Sequence, residues 1–237
     1  MDETDRGRTV GDPLAGTAWS RPDTVNGFVR SPPNETLMRL AVADRSGARS
    51  RLLDIGCGAG RNAVPLSGAG WQVVGTDLSL AMLAAAGSRL SAEGPSNDAR
   101  LVLAPMDALP FAPDSFDFIV AHGIWNLASS GAEFRRAIAE AGRVARPGCM
   151  LFVFTFSRHT LAEAAAPVDG EAFVFTQFSG RPQCFLTAEQ LVAELQASGF
   201  EPDARLALRE LNRRRPGQLT TGNAPVIYEG LFRYTSL

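Results

Sequence analysis

Three glycines at alternate positions form the motif of this sequence with the clearest chemical meaning. Gly56, Gly58 and Gly60 directly follow residues 52–55, an apolar stretch that predicts a buried strand. Because glycine lacks a Cβ atom, such a loop can turn sharply after the strand and let a flat ligand lie against bare backbone. The pattern therefore predicts a loop that binds a nucleotide-like ligand.

Two acids flank this loop in the sequence. Asp54 lies within the predicted strand, and Asp77 follows a second apolar stretch, residues 71–76. A nucleotide-binding β-α-β unit places its ribose-binding acid about 20 residues beyond the glycine loop, close to the position of Asp77. We therefore expect Asp77 to accept hydrogen bonds from both hydroxyls of a ribose.

The glycine spacing separates two classes of cofactor. The dinucleotide fingerprint G-x-G-x-x-G ends in glycine or alanine, whereas this chain has G-x-G-x-G with Arg61 at the last fingerprint position. Asp54, just before the glycines, would repel a pyrophosphate but suits a ligand that carries an ammonium and a sulfonium. An NAD-dependent oxidoreductase is therefore the less favoured alternative.

From Leu52 to Asp77 the chain closely resembles the first two motifs of class I S-adenosylmethionine-dependent methyltransferases. The resemblance implies S-adenosylmethionine as cofactor and S-adenosylhomocysteine as product. It implies that Asp77 binds the ribose, that Leu78 flanks the adenine, and that Asp107 contacts the adenine amino group. The cofactor-binding residues that it implies are Asp54, Gly56, Cys57, Gly58, Gly60, Asp77, Leu78, Met106, Asp107, Ala108 and His122.

Strand and helix signals alternate along most of the chain and predict an α/β fold. Repeated β-α-β units imply a doubly wound, mostly parallel sheet with helices on both faces. Residues 206–211 and 225–232 predict a C-terminal antiparallel hairpin, and the resemblance implies seven strands in all. Two sequences of capping-box form, Ser130 to Glu133 and Thr187 to Gln190, predict helix starts.

The chain divides into four predicted parts. Residues 1–18 are polar and should be flexible, and residues 19–48 should form a helical cap. Residues 49–237 should form the cofactor-binding domain. Within that domain, residues 158–186 make a connection long enough to act as a lid-like insertion.

Composition excludes several classes of function. The 237 residues are 45% hydrophobic, with a net charge of −2 and a pI near 5.8, so we expect no nucleic-acid partner. The absence of a membrane-length apolar stretch and the acidic N-terminus predict a cytoplasmic protein without a membrane partner. All 23 basic residues are arginine, which excludes a catalytic lysine. Three cysteines and two histidines have no metal-binding spacing, so we expect no metal.

The candidate bases follow the fourth and fifth predicted strands, residues 116–121 and 150–156. His122 either acts as a general base or only holds the cofactor or a backbone group, and His159 is a second candidate base. The candidate substrate residues are Trp19, Phe28, Trp125, Asn126, Phe175 and Cys184.

We therefore predict in-line methyl transfer to a small-molecule acceptor. The short cap and the sequence Cys184-Phe185-Leu186-Thr187 are similar to small bacterial methyltransferases of the tellurite and thiopurine type. The alternative is a protein that binds S-adenosylmethionine in a non-methylating role, cyclase-like or regulatory. The acceptor atom and the oligomeric state stay open.

Overall fold

A computed structural model describes residues 11–47, 50–94, 99–213 and 224–235. Its strands are β1 (Arg51–Ile55), β2 (Gln72–Asp77), β3 (Ala99–Leu103), β4 (Phe116–His122), β5 (Ala145–Phe156), β6 (Val174–Phe175), β7 (Gln183–Cys184), β8 (Phe200–Pro202), β9 (Arg209–Leu211) and β10 (Ile227–Tyr234). Its α-helices are α1 (Pro22–Arg30), α2 (Glu35–Asp44), α3 (Ala63–Gly68), α4 (Leu80–Ala92), α5 (Gly131–Val144) and α6 (Ala188–Gln196).

The main sheet has the order β3-β2-β1-β4-β5-β10-β8. Strands β1 to β5 pair in parallel, and β10 pairs antiparallel with β5, which confirms the doubly wound, mostly parallel sheet. Consecutive parallel strands need crossover connections, and α3, α4 and α5 supply three of them on the two faces, whereas residues 104–115 join β3 to β4 without a helix. The carboxyl ends of β1, β2 and β4 therefore meet at one edge of the sheet.

The C-terminal hairpin is confirmed, with a difference in strand count. β9 pairs antiparallel with β10, as predicted, but β8 also pairs with β10 and brings the sheet to eight strands. Leu206 lies in a 3₁₀ turn (Ala204–Leu206) instead of a strand. The Asp203 side chain accepts a hydrogen bond from the Arg205 N–H at 3.0 Å, which favours that turn over a continuous strand.

Alternating side chains of the central strands fill two cores. Ile119 and Leu151 face one core, with Phe134 and Ile138 of α5. Phe118 and Phe152 face the other core, with side chains of α2 and α3. Because both faces of β4 and β5 are covered, both strands read as continuous apolar runs. This covering fixes the position of the residues at their carboxyl ends.

Both predicted helix starts are present, but only one is a complete capping box. At α6, the Thr187 hydroxyl accepts from the Gln190 N–H at 3.2 Å and the Gln190 side chain accepts from the Thr187 N–H at 2.9 Å. At α5, the Ser130 hydroxyl accepts from the Glu133 N–H. The Glu133 carboxylate, however, accepts from the N–H and hydroxyl of Ser129 at 2.8 and 2.6 Å, so the second half of that box is missing.

The N-terminal segment predicted to be flexible, residues 1–18, is described only in part, and its flexibility stays a prediction. Residues 1–10 lie outside the described residues, but residues 11–18 form hydrogen-bonded turns. The Leu14 carbonyl accepts from the hydroxyls of Thr17 and Ser20 at 2.7 and 3.0 Å. Helices α1 and α2 follow within the predicted cap, and Asn34 caps α2 through its side chain.

Residues 158–186 form a compact excursion from the main sheet. Within it, β6 and β7 pair as a separate two-stranded antiparallel sheet. Cys184 and Phe185 are fully buried, so this part of the segment packs into the core. Among the described residues, no helix combines the length and apolarity needed to cross a bilayer.

Candidate functional site

A cavity of about 240 Å³ lies at the carboxyl ends of β1, β2 and β4, beneath the N-terminal cap. The predicted site residues that line it are Trp19, Phe28, Gly56, Gly58, Asp77, Leu78, Met106, Asp107 and His122. Trp19 and Phe28 meet edge to face, with ring centroids 5.9 Å apart, on the cap side. The structure thus brings the glycine loop, both downstream acids and the cap aromatics together around one cavity.

Two of the three glycines form the wall of the cavity. Gly56 and Gly58 have φ values of 70° and 54°, a region that side chains other than glycine rarely adopt. A Cβ at Gly56 would lie 2.6 Å from Ile124, and one at Gly58 would lie 3.3 Å from the Phe28 ring. Gly60 instead packs inwards, where a Cβ would lie 2.8 Å from Val64. The loop therefore offers bare backbone to a ligand.

Asp77 holds this loop and keeps capacity for a ligand. One carboxylate oxygen accepts from the Gly58 N–H at 2.9 Å, and the other accepts from the Ser79 N–H at 2.8 Å. Burial raises the pKa of Asp77, and these backbone donors oppose that shift. Since each carboxylate oxygen can accept about two hydrogen bonds, both oxygens can also accept from a hydroxyl of a ligand.

Asp54 lies behind the loop, with 1% of its surface exposed. Among the residues that the structure describes, its Oδ2 atom has no hydrogen-bond partner. Burial raises the pKa of Asp54 to about 7, although the nearby Arg61 charge opposes the shift. A nearby positive group of a ligand would favour the ionised form of this carboxyl.

The charged side chains that line the cavity are all acidic. They are Asp77, Asp107 and Glu133, whereas no arginine among the described residues lines it. The Asp107 carboxylate pairs with Arg136 at 2.9 Å outside the cavity. Because like charges concentrate there, the cavity favours a ligand with positive charge.

His122, at the end of β4, is held on several sides. Its ring stacks on Phe154 at a centroid distance of 4.1 Å, and Arg61 Nη2 lies 2.8 Å from its Nε2 atom. The Asn34 amide lies 3.4 Å from the same ring nitrogen. Burial, followed by the Arg61 charge, lowers the pKa of His122 to about 3. The ring is therefore neutral near pH 7, and its Nε2 atom accepts from Arg61.

Comparison with known proteins identifies the family. The family described as "Methyltransferase domain" matches residues 53–153. Demethylmenaquinone methyltransferase of Renibacterium salmoninarum is 32% identical over 183 residues, 76% of this chain and 67% of that protein. The chain belongs to the class I S-adenosylmethionine-dependent methyltransferases.

Two further similarities agree with this assignment. A ubiquinone biosynthesis O-methyltransferase of Rhizobium etli is 30% identical over 177 residues, 74% of this chain and 69% of that protein. The fold matches a crystal structure of the 1,6-didemethyltoxoflavin-N1-methyltransferase of Burkholderia thailandensis, solved with its substrate and S-adenosylhomocysteine. That likeness has a TM-score of 0.61 at 20% identity and covers 86% of this chain and 80% of that one.

The cavity of this methyltransferase fits S-adenosylmethionine on two observations. Gly56 and Gly58 line the cavity with backbone atoms alone, and a Cβ at either position would collide with Ile124 or Phe28 of the same lining, so a ligand can lie against the bare loop. The acid-lined wall and the unpartnered Oδ2 of Asp54 suit a ligand with a sulfonium and an ammonium. Four of the residues predicted to bind the cofactor do not line the cavity, although they are close in sequence to residues that do. They are Asp54, Cys57, Gly60 and Ala108.

His159 is not brought to this cavity. It lines a second cavity with Phe178 and Val226. Its Nδ1 atom lies 2.6 Å from a Glu210 carboxylate oxygen, and Arg213 lies 3.4 Å from its Nε2 atom. In the methyltransferase described here, His159 is thus engaged with Glu210, apart from the residues that line the acid-lined cavity.

The structure separates four predicted substrate residues from the cavity. Trp125 and Asn126 are buried in a 3₁₀ turn, and Trp125 packs edge-on against Phe134. Phe175 is buried beneath the Arg158 guanidinium. Cys184 is fully buried, its thiol directed at the Ala128 carbonyl, and burial raises its pKa to about 12. None of these four side chains lines the cavity, and their assignment to the substrate stays a prediction.

Other residues of the site were not predicted. The cavity is also lined by Leu14, Met82, Ala104, Pro105, Gly123, Ile124, Leu127 and Glu133. Ile124 lies two residues beyond the end of β4, so its position near the cavity follows from the strand assignment. Leu14 gave no such signal, because it lies in a polar stretch without a helix or strand pattern.

Proposed function

We propose that this methyltransferase acts on a small-molecule acceptor, and the observation that carries the proposal is the covered cavity. The cap residues Leu14, Trp19 and Phe28 line it on one side, and the strand ends line it on the other. Because the cap covers the site where the cofactor would bind, an acceptor must reach the methyl group within a covered, mostly apolar space, which suits a small molecule better than an extended polymer. The proteins named above as methyltransferases of demethylmenaquinone and 1,6-didemethyltoxoflavin support this class of acceptor.

The residues around the cavity would hold the cofactor in a fixed position. Asp77 would accept from the ribose hydroxyls, and Gly56 and Gly58 would lie beneath the ribose and methionine parts. Asp107 would lie at the adenine. When bound, S-adenosylmethionine supplies a methyl carbon that accepts an electron pair from the acceptor as its bond to the positively charged sulfur breaks.

The chain contributes mainly position and the exclusion of water. The cap aromatics cover the cavity, and a methyl donor and acceptor held in line gain most of their rate from orientation. His122 is a poor general base, because its pKa is about 3 and its Nε2 atom already accepts from Arg61. The proposed reaction therefore needs no proton transfer to His122.

A methyl-transfer assay tests the proposal. The protein is incubated with methyl-labelled S-adenosylmethionine and a panel of phenols, amines, thiols and metalloid oxyanions. We expect label in at least one small acceptor, formed with an equal amount of S-adenosylhomocysteine. An inert panel, despite S-adenosylhomocysteine binding measured by calorimetry on the same sample, would contradict the proposal and favour a non-methylating role.

A further inference from the structure

Arg61 is a half-buried cation that lacks an acidic partner. Among the residues that the structure describes, no carboxylate forms an ion pair with it, and its hydrogen bonds go to His122 alone. Burial lowers the pKa of Arg61, with Asp54 as the acid that opposes the shift. A guanidinium removed from water without a close anion is unfavourable unless a ligand supplies the charge.

The partner of Arg61 cannot neutralise it. His122 stacks on Phe154, and the Asn34 amide lies 3.4 Å from its ring, so the imidazole is held in place. Asn34 also donates to Glu229 at 3.0 Å, and Glu229 pairs with Arg209 at 2.6 Å. Glu229 is therefore already paired with Arg209 and does not neutralise Arg61.

The electrostatics of the two neighbouring regions are opposite. The charged residues that line the cavity are Asp77, Asp107 and Glu133, whereas Arg61 lies outside the lining, against the His122 wall. His122 accepts from one amino group of Arg61, which leaves donors of the planar fork for another ligand. A carboxylate or phenolate oxygen is the group that this fork binds best.

We propose that Arg61 binds an anionic oxygen of the methyl acceptor, so that the acceptor is an acidic small molecule. The inference rests on the proposed function and names the substrate class for the same site. If Arg61 holds the anionic oxygen of the acceptor on the side away from the acidic lining, the rest of the acceptor is oriented towards the positively charged methyl donor. His122 then acts as a positioning residue that holds the guanidinium in place.

The methionine carboxylate of the cofactor has the same chemistry, so a calorimetric experiment separates the two sources. Arg61→Met and Arg61→Lys are compared with Arg45→Met, which removes a charge from an exposed arginine that donates to backbone carbonyls. Each protein is titrated with S-adenosylhomocysteine and with 5′-methylthioadenosine, which lacks the carboxylate. Thermal unfolding on the same samples establishes that each variant is folded.

A second titration tests the acceptor. Benzoate and salicylate, each against its neutral amide, are titrated into protein saturated with S-adenosylhomocysteine. We expect Arg61→Met to weaken binding of both acids at least tenfold and Arg61→Lys to weaken it less. Affinity for the amides and for S-adenosylhomocysteine should stay within threefold in every variant.

Three results of the titrations would overturn the inference. The first is a tenfold loss of S-adenosylhomocysteine affinity in Arg61→Met with 5′-methylthioadenosine unaffected, which assigns Arg61 to the cofactor carboxylate. The second is that neither acid binds, and the third is that both bind Arg61→Met as well as the original protein. The methyl-transfer assay is read separately. Acid-selective binding with an inert panel would count against the proposed function alone, and methylation of neutral acceptors unchanged in Arg61→Met would count against this inference alone.

Discussion

The parallel strands of the main sheet have their carboxyl ends at one edge, and the two halves of this edge form their sites in different ways. At the ends of β1 and β2, the ligand-facing groups are bare backbone at Gly56 and Gly58 and the partly engaged carboxylate of Asp77. At the end of β4 and the start of β10, the polar side chains contact one another, as in the contact of Arg61 with His122. The first half offers the cofactor backbone groups and a carboxylate that keep hydrogen-bonding capacity, whereas contacts between side chains in the second half hold Arg61 in position.

The halves also differ in the sign of the charge that a ligand meets. The charged side chains of the cavity lining are acidic, whereas the second half holds Arg61, which forms no ion pair with a carboxylate among the described residues. Each half has a buried group that burial drives towards its neutral form, Asp54 in the first and His122 in the second. The following changes test this division, beginning with the largest expected effect.

Asp77→Ala should weaken S-adenosylhomocysteine binding by about 100-fold or more, measured by calorimetry. Two hydrogen bonds to a charged group contribute about 1.5–3 kcal/mol each, and the same carboxylate fixes the Gly58 N–H. Asp77→Asn is the matched control and should lose less, because one oxygen acceptor remains. Unchanged affinity in Asp77→Ala would show that the ribose is held elsewhere.

Glu229→Ala should lower the free energy of unfolding by about 2–3 kcal/mol, measured in urea. Glu229 is 2% exposed and accepts from Asn34 and Arg209, and loss of these charged hydrogen bonds outweighs the rehydration of the half-exposed Arg209. Glu201→Ala, on the exposed neighbouring strand β8, is the control and should change stability by less than about 0.5 kcal/mol. S-adenosylhomocysteine affinity should change little, and a tenfold loss would show that the two halves are coupled.

Asp54→Asn and His122→Asn should tilt the pH dependence of stability in opposite directions. His122 has a folded-state pKa of about 3, below its unfolded value of 6.5, so its contribution is present above pH 6.5 and is lost as pH falls towards 3. The folded-state pKa of Asp54 is about 7, above its unfolded value of 3.8, so its contribution is lost as pH rises through 7. Each slope approaches about 1.4 kcal/mol per pH unit.

Urea unfolding between pH 4.5 and 6.5 measures these slopes. In this range the two contributions oppose each other in the original protein. His122→Asn should therefore be stabilised by acidification relative to the original protein, and Asp54→Asn should be destabilised by it. Parallel profiles for all three proteins would contradict the assignment of these buried groups.

S-adenosylhomocysteine binding at pH 7 should release up to about half a proton. Asp54 is about half protonated at that pH, and the ammonium of the ligand would favour its ionised form. Calorimetry in buffers of different ionisation enthalpy measures the release, and Asp54→Asn should show none. Equal release from both proteins would mean that the proton comes from another group.

The first half of the edge could be predicted from the sequence because its chemistry depends on local spacing. A glycine loop after a strand and an acid after the next strand sufficed to place Gly56, Gly58 and Asp77 at one cavity. The parallel sheet and the β9–β10 hairpin followed from alternation of apolar runs. The extra strand β8 did not, because three residues carry too little pattern to separate a strand from a turn.

The second half could not be predicted because its contacts join residues distant in sequence. In the sequence, Arg61 is notable only because it departs from a dinucleotide motif. Its contact with His122, 61 residues away, depends on the direction in which the chain leaves the glycine loop towards α3. The apolar sequence of the insertion predicts buried side chains, but it does not show whether Phe175 and Cys184 face a substrate pocket or pack inside the protein. Both are buried: Cys184 lies in the main core, whereas Phe175 packs against the Phe185 ring and the Arg158 guanidinium.

A crystal structure of the protein with S-adenosylhomocysteine tests the central claim most directly. We expect both ribose hydroxyls within hydrogen-bond distance of the Asp77 carboxylate. We also expect Arg61 to remain in contact with His122, without a contact to the amino-acid carboxylate of the ligand. A ribose bound away from Asp77, or a methionine carboxylate on Arg61, would contradict the division of this edge into a cofactor half and an acceptor half.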